Sequence, residues 1–254
     1  LGCDPQWQPV EFTLAPTLQV VQLRVTDGFA DALEMLGLPG RGPVVVGRAQ
    51  SLAQAAFAGF SLRFDTFEAP AIAGFRERVT IAVANRDPNG LGLLGNDNSP
   101  GKDDGNLLLD EQLDGFNRRT RRRGEAAHGG VFIGELMVFS RKLHPNSTAA
   151  DPAFDALFGP FSPQLGGTPA SLDEDAGAAV EALAQILAET AVHETGHALG
   201  LAAGTDSPHH EDDHPGWRMD RGTHRPFGER AGLEGASVWG PLDSLYLETV
   251  LPLK

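Results

Sequence analysis

Short runs of alternating apolar and polar residues dominate the first third of the chain, and each run has the length of a β-strand. They cover residues 10–14, 18–25, 61–67 and 78–83. A further run at residues 43–47 is apolar throughout, which is typical of a buried strand. The hydrophobic pattern therefore predicts a β-sheet in this part of the chain.

Other stretches repeat their apolar positions at spacings of three and four residues, as one face of a helix does. Residues 27–36, 49–60 and 242–251 have this spacing, and Gly37 directly follows the first of them. Strands and helices mixed in this order predict an α+β or α/β protein. Residues 1–42 form either a separate N-terminal segment or part of the same domain as residues 43–254, because no low-complexity linker separates the two.

The longest helical pattern precedes Gly200 and carries the candidate chemistry. Its apolar positions, spaced as on the buried face of a helix, are Val180, Leu183, Ile186, Leu187 and Ala191. Residues 171–174, Ser-Leu-Asp-Glu, match a capping box at its start. Gly200 suits the left-handed residue that often follows a helix C-terminus. We therefore expect one long helix that ends just before Gly200.

Two histidines and a glutamate lie together on this helix, in the order His193-Glu194-Thr195-Gly196-His197. Residues four apart share a helix face, so His193 and His197 can direct two imidazole nitrogens at one Zn²⁺. Glu194 can reach a metal-bound water without being a ligand, which suits a general base. The alternative is a surface helix with two incidental histidines, but such a motif rarely arises by chance in a helical context.

The pattern His193-Glu194-x-x-His197-x-x-Gly200 resembles the opening of the zinc-binding signature of the metzincin endopeptidases. The resemblance implies a metzincin-like α+β fold over residues 43–254, in which a mixed twisted sheet and the active-site helix lie above a small, irregular C-terminal half closed by a helix. It also implies a zinc-dependent endopeptidase that hydrolyses peptide or protein substrates with Glu194 as general base. The function predicted from the sequence is therefore a zinc metallopeptidase.

The third zinc ligand is the point at which the chain departs from the family pattern. Metzincins usually place a histidine three residues after the glycine, but Ala203 stands there in this chain. The resemblance therefore implies a longer turn, for which His210 is the preferred ligand and His209 and His214 are alternatives. A rival interpretation is a zincin with an acidic third ligand, with candidates Glu211, Asp212, Asp213 and Glu229.

The same resemblance implies roles for two further stretches. Met219 matches the methionine turn, in which the side chain packs against the ligand histidines rather than binding zinc, although a plain core methionine is an equal alternative. The apolar run at residues 129–139 predicts a strand near the cleft. It is the candidate for the edge strand that binds substrate by backbone pairing, and an ordinary central strand is the alternative.

Composition narrows the range of partners. The 254-residue chain is 41% hydrophobic, enough for a sizeable core, and its net charge is −14. This charge argues against nucleic acid or an anionic membrane surface as a partner. A local exception is the arginine-rich stretch at residues 117–123, which is typical of a solvated loop or a protease-sensitive tip.

The expected location rests on the first residues. No segment approaches the roughly 18 apolar residues of a membrane-spanning helix. The chain begins Leu1-Gly2-Cys3-Asp4, which resembles the end of a bacterial lipoprotein signal. Cys3 is therefore a candidate for lipidation, and the protein is expected to be exported to the cell envelope or beyond. The alternatives are an inert Cys3 and a thiolate that caps the zinc in a latent form.

A second metal is conceivable in the loop of residues 87–114, which is rich in Gly, Asn and Asp. Side-chain oxygens on flexible backbone are what Ca²⁺ prefers, but ordinary turns use the same residues. Calcium is therefore a second candidate cofactor, in addition to zinc. It also supports a further alternative for the whole chain, a non-catalytic, calcium-binding surface lipoprotein.

Overall fold

In this computed structural model, the structure describes residues 19–66, 77–98, 113, 115–172, 175–201, 214–222, 225–251 and 253. These residues form a mixed α/β protein with one mixed sheet and several helices. The prediction of an α+β chain with a mixed sheet is confirmed at this level. The predicted strand at residues 10–14 lies outside the described residues.

The strands of the sheet are β1 Gln19–Val25, β2 Leu62–Thr66, β3 Glu77–Ala84, β4 Gly95–Asn96, β5 Gly115–Phe116 and β6 His128–Phe132. Their order is β2-β1-β3-β6-β4, and β5 also pairs with β6. β1 runs parallel to β2 and β3, and β6 runs parallel to β3, whereas β4 and β5 are antiparallel to β6. The N-terminal strand β1 therefore lies between β2 and β3, in the same sheet as the strands that follow it.

The α-helices are α1 Asp27–Leu36, α2 Gly42–Ala56, α3 Arg118–Arg122, α4 Pro152–Phe158, α5 Gly177–Ala198, α6 Phe227–Arg230 and α7 Pro241–Val250, and two 3-10 helices span Ile133–Phe139 and Pro163–Leu165. α1 and α7 confirm the helices predicted at residues 27–36 and 242–251. Gly37 ends α1 with a φ of 75°, and a Cβ there would lie 2.0 Å from the carbonyl oxygen of Phe161. Only glycine fits this close approach.

Residues 43–47 were predicted as a strand, and that prediction is wrong. They form the first turns of α2, in which Pro43 occupies an early position that needs no N–H donor. Val45 and Val46 are buried together with Ala49 and Ala53, at helical spacing. The face they form packs against α5. A short run of valines fits a buried helix as well as a buried strand. In this chain the packing against α5 decides for the helix.

The strand predicted at residues 129–139 is also shorter than expected. β6 ends at Phe132, and residues 133–139 turn into a 3-10 helix. At this turn the N–H of Gly134 donates to the carbonyl oxygen of Asn85 at 2.6 Å. β6 moreover lies between β3 and β4, so it is a central strand and not an edge.

The long helix α5 has 22 residues, 16 of them buried. It contacts α2, β4, β6 and α6. The five apolar residues predicted to face the core are all buried. The capping-box prediction is wrong, because α5 begins at Gly177, beyond residues 171–174, and the carboxylate of Asp175 accepts the N–H of Gly177 at 3.0 Å.

The elements after α5 pack beneath its C-terminal half. Phe227 of α6 has its ring centroid 5.3 Å from that of Phe154 in α4, which ties α6 to the core. The hydroxyl of Tyr246 in α7 donates to the carbonyl oxygen of Leu199 at 2.9 Å. Within the part of the chain described here, the search for a helix long and apolar enough to cross a membrane found none.

Candidate metal site

The C-terminal end of α5 is closed by the glycine that the sequence indicated. Gly200 has a φ of 103°. Its N–H donates to the carbonyl of His197, and the N–H of Leu201 donates to the carbonyl of Gly196, both at 2.9 Å. These two bonds are those of a Schellman motif, which terminates a helix and satisfies its last carbonyl groups. The chain therefore turns away directly after the histidine pair.

His193 and His197 converge on each other across one turn of α5. Their Nε2 atoms are 3.0 Å apart. The two ring centroids are 4.6 Å apart and the rings are nearly perpendicular, at 83°. The helix spacing thus brings the two imidazole Nε2 atoms close together on one face of α5.

Each histidine is oriented by a backbone carbonyl at its other nitrogen. The Nδ1 atom of His193 lies 2.6 Å from the carbonyl oxygen of Arg218, and that of His197 lies 3.1 Å from the carbonyl oxygen of Leu201. A carbonyl oxygen can only accept a hydrogen bond, so both Nδ1 atoms carry the proton. In the neutral imidazole, both Nε2 atoms are then left with a lone pair, which is the tautomer that binds a metal.

The donor set fits a zinc ion. A Zn–N bond is about 2.0–2.1 Å long. Because the two Nε2 atoms are 3.0 Å apart, less than twice that length, one ion can contact both. Among the residues that the structure describes, no group of three His, Cys, Asp or Glu side chains is placed to hold a metal. The fit therefore concerns two of the expected ligands.

The candidates for the third ligand fall mostly outside the described residues. This holds for His209, His210 and the acidic residues 211–213. The ring of His214 is described, and it stacks on the indole of Trp217 with centroids 4.1 Å apart. Glu229, the remaining acidic candidate, has its Oε1 atom bound by Nε of Arg225 at 2.7 Å.

Glu194 lies between α5 and the terminal strand β4. Its exposed fraction is 6%. Gly95 of β4 faces it so closely that a Cβ at this position would lie 2.4 Å from Oε1 of Glu194 and 2.5 Å from Cγ2 of Thr190. The absence of a side chain at Gly95 thus leaves the space that the carboxylate occupies. Sequence reasoning missed Gly95, since a single glycine in a glycine-rich loop carries no distinct signal.

Met219 packs against α5 at Gly196, the residue before His197. It is 1% exposed. A Cβ at Gly196 would lie 2.6 Å from its Sδ atom, so the thioether touches the helix backbone at this glycine. The Met219 segment is held in place by Arg218, whose N–H donates to the carbonyl of Val238 at 2.9 Å.

A cluster of charged side chains, buried except for the half-buried Arg218, lies next to the histidine pair. Its members are Glu189, Arg218, Arg225, Glu229 and Arg230. Burial lowers the pKa of Arg218, which Glu189 opposes. Burial and the neighbouring Arg225 also lower the pKa of Arg230 to about 10. Of this cluster the sequence interpretation had singled out only Glu229, although Glu189 lies one helical turn before His193 and stands out in an apolar stretch.

The arginine-rich stretch forms the short helix α3 instead of the predicted loop. The side chain of Asn117 caps it by accepting the N–H of Arg119 at 2.9 Å. Thr120 is buried and the arginines are exposed. Arg123 pairs with Glu125 at 3.0 Å. The stretch is therefore solvated, as expected, but it is helical.

The described part of the candidate calcium loop consists of turn contacts. The Oδ2 atom of Asp87 accepts the N–H groups of Leu91 and Leu93 at 3.0 and 3.2 Å. The amide of Asn98 donates to the carbonyls of Gly115 and Ala127. Residues 99–112 lie outside the described residues, and calcium binding stays a prediction.

The location of the protein likewise stays a prediction, because Cys3 lies outside the described residues. The site itself is defined by three local features: the converging Nε2 atoms of His193 and His197, the buried carboxylate of Glu194, and the packing of Met219 on α5. Its function has to be inferred from these features, since no family model, no curated protein and no solved structure matches the chain.

Proposed function

We propose that the chain is a zinc-dependent endopeptidase with a metzincin-like fold. The observation that carries the proposal is the state of the histidine pair. Both Nδ1 atoms bind backbone carbonyls, and both Nε2 atoms face each other at 3.0 Å. Two incidental surface histidines would not be expected to bind carbonyls through the same ring nitrogen and to direct their other nitrogens at the same point. A site prepared for a metal ion needs both.

In this proposal His193, His197 and a third histidine, with His210 preferred, hold the ion. Bound there, zinc supplies Lewis acidity that lowers the pKa of water toward about 7 and polarises the scissile carbonyl. Glu194 takes the proton of the attacking water and returns it to the leaving amine. Its burial against Gly95 restricts the carboxylate to one region next to β4.

The substrate strand in this proposal is β4. It is the terminal strand of the described sheet, and it packs against Glu194 through Gly95. An extended peptide that pairs with the outer edge of β4 would pass directly beside the base. This assignment replaces residues 129–139, because β6 has a neighbour on each side.

The packing of Met219 supports the assignment of residues 219–222 as a methionine turn. The buried thioether lies against Gly196, the residue before His197. A thioether in this place supports the helix that carries the histidines without competing for the metal. The acidic alternative Glu229 is less suitable as a ligand, because Arg225 binds its carboxylate.

The decisive experiment measures metal content and hydrolysis together. The full chain should hold about one zinc per molecule through dialysis and hydrolyse a protein substrate such as casein. His193→Ala and His197→Ala should lose both properties. The matched control is His128→Ala, because the ring of His128 packs against Phe116 of β5 and is not part of the histidine pair. Full zinc retention in either α5 variant would refute the site, and zinc binding without hydrolysis by the parental chain would favour the non-catalytic alternative.

A further inference from the structure

Glu189 is a buried charged residue one turn before His193 on α5. Its side chain is 6% exposed. The Oε1 atom lies 3.7 Å from Nη2 of Arg218, and the Oε2 atom lies 3.6 Å from Nη2 of Arg225. Gln185 donates to Oε1 at 3.1 Å, whereas Oε2 has no hydrogen-bond partner among the described residues. Burying such a charge costs free energy that only ion pairs and hydrogen bonds offset, so Glu189 depends on these two arginines.

Arg225 links Glu189 to the segment under the histidines. Its side chain is 1% exposed. Nη1 donates to the carbonyl oxygen of Arg218 at 3.4 Å, and Nη2 donates to Oγ of Ser237 at 3.0 Å. Nε donates to Glu229 at 2.7 Å. All three nitrogens of the guanidinium are thus engaged, and one of them contacts the same carbonyl oxygen that accepts from His193.

Both backbone polar groups of Arg218, its N–H and its carbonyl oxygen, are therefore engaged. Its N–H donates to Val238, and its carbonyl oxygen accepts from Nη1 of Arg225 and from Nδ1 of His193. If this carbonyl turned away, Nδ1 of His193 would lose its acceptor. The imidazole could then carry its proton on Nε2, the nitrogen that faces His197, and a protonated nitrogen cannot bind a metal.

We propose that Glu189 and Arg225 are positioning residues: together they hold the carbonyl of Arg218 where it keeps His193 protonated at Nδ1 and unprotonated at Nε2. This inference rests on the proposed function for its consequence, zinc affinity, but not for its direct observable, the tautomer of His193. Partners that orient a ligand histidine typically change metal affinity 10- to 100-fold when they are removed.

Three variants of the full chain test the proposal. Glu189→Gln removes the charge and retains the shape. Arg225→Lys retains the charge but removes the planar fork that reaches Arg218 and Ser237 together. Glu181→Gln is the matched control, because Glu181 lies on the same helix and pairs with Arg48 on the surface, with the side chain 52% exposed.

Two measurements are made on each variant. Nitrogen-detected NMR of the zinc-free protein at about pH 8, above the ordinary histidine pKa of about 6.5, reports the tautomer of His193. Competition with a chelator reports zinc affinity. We expect Glu189→Gln and Arg225→Lys to populate the Nε2–H form of His193 and to bind zinc about 10- to 100-fold more weakly. Glu181→Gln should match the parental protein in both.

Folded variants that keep the parental tautomer of His193 would overturn the proposal. The charge cluster would then only stabilise the fold. If Glu189→Gln fails to fold, as circular dichroism would show, Arg225→Lys decides, because it preserves the charge balance of the cluster. If the parental chain binds no zinc, the proposed function fails, and the tautomer comparison in the zinc-free protein still decides whether Glu189 and Arg225 position His193.

Discussion

The Nδ1 atom of His193 lies 2.6 Å from the carbonyl oxygen of Arg218, a residue that comes 25 positions later in the chain. This contact joins α5 to the segment that carries Met219. It means that the helix alone does not determine the chemical state of its first histidine. The segment after the helix must fold against it before Nε2 is available to a metal ion.

Glu194→Gln should retain zinc and lose hydrolysis. The substitution preserves the shape of a side chain that is buried between α5 and β4, but it removes the proton acceptor. We expect kcat to fall about 10²- to 10⁴-fold, the usual contribution of a general base. Zinc content is measured on the same preparation. A variant with parental kcat would remove Glu194 from the mechanism.

His210→Ala should weaken zinc binding by orders of magnitude. Catalytic zinc sites generally have three protein ligands, and two imidazoles alone hold the ion weakly. His209→Ala and His214→Ala serve as comparisons and should change the affinity less than about tenfold, or 1.4 kcal/mol. The stacking of His214 on Trp217 supports its place in this comparison group. A chelator titration that ranks either comparison variant as the weakest binder would move the ligand to that residue.

Gly95→Ala should impair catalysis more than metal binding. The new Cβ would lie 2.4 Å from Oε1 of Glu194, so either the carboxylate or β4 must shift. Displacing a catalytic group by about 1 Å can cost on the order of 100-fold in rate. Steady-state kinetics and zinc content, measured side by side, test this expectation. An unchanged kcat would show that the carboxylate of Glu194 has freedom to move without loss.

Two alanine substitutions of glycine should have opposite effects on stability. Gly47 is exposed within α2 and has nothing within 4 Å of the position of a Cβ, so Gly47→Ala should raise the free energy of unfolding by about 0.5–1 kcal/mol. Gly200→Ala should lower it by about 1–2 kcal/mol, because φ is 103° at that residue. Urea denaturation of both variants provides the measurement. Equal shifts of the same sign would contradict the helix end assigned at Gly200.

Local patterns were sufficient for most of the elements near the site. The strands β1, β2 and β3 were predicted because their apolar residues alternate, and α5 because its apolar residues recur at helical spacing. The helix ends at Gly37 and Gly200 followed from the backbone freedom of glycine. The prediction for residues 43–47 failed, because a continuous apolar run fits a buried helix and a buried strand equally well.

The residues of the candidate site show the same difference between local and long-range information. His193, Glu194 and His197 are brought together by a helix, whose spacing is a local property, so the sequence by itself determined that the two imidazoles share one face. The sequence also identified Met219 as a candidate for the methionine turn. These conclusions need no contact between distant segments.

Tertiary structure alone decided which groups surround that face. The carbonyl of Arg218 at His193, Gly95 at Glu194, and the pairing of Glu189 with Arg225 each join segments far apart in the chain. Periodicity describes which side of an element is buried, but it contains no information about what that side meets. The carbonyl that contacts His193 and the place of β4 at the end of the sheet therefore could not be predicted from the sequence, because both depend on long-range packing and hydrogen bonding.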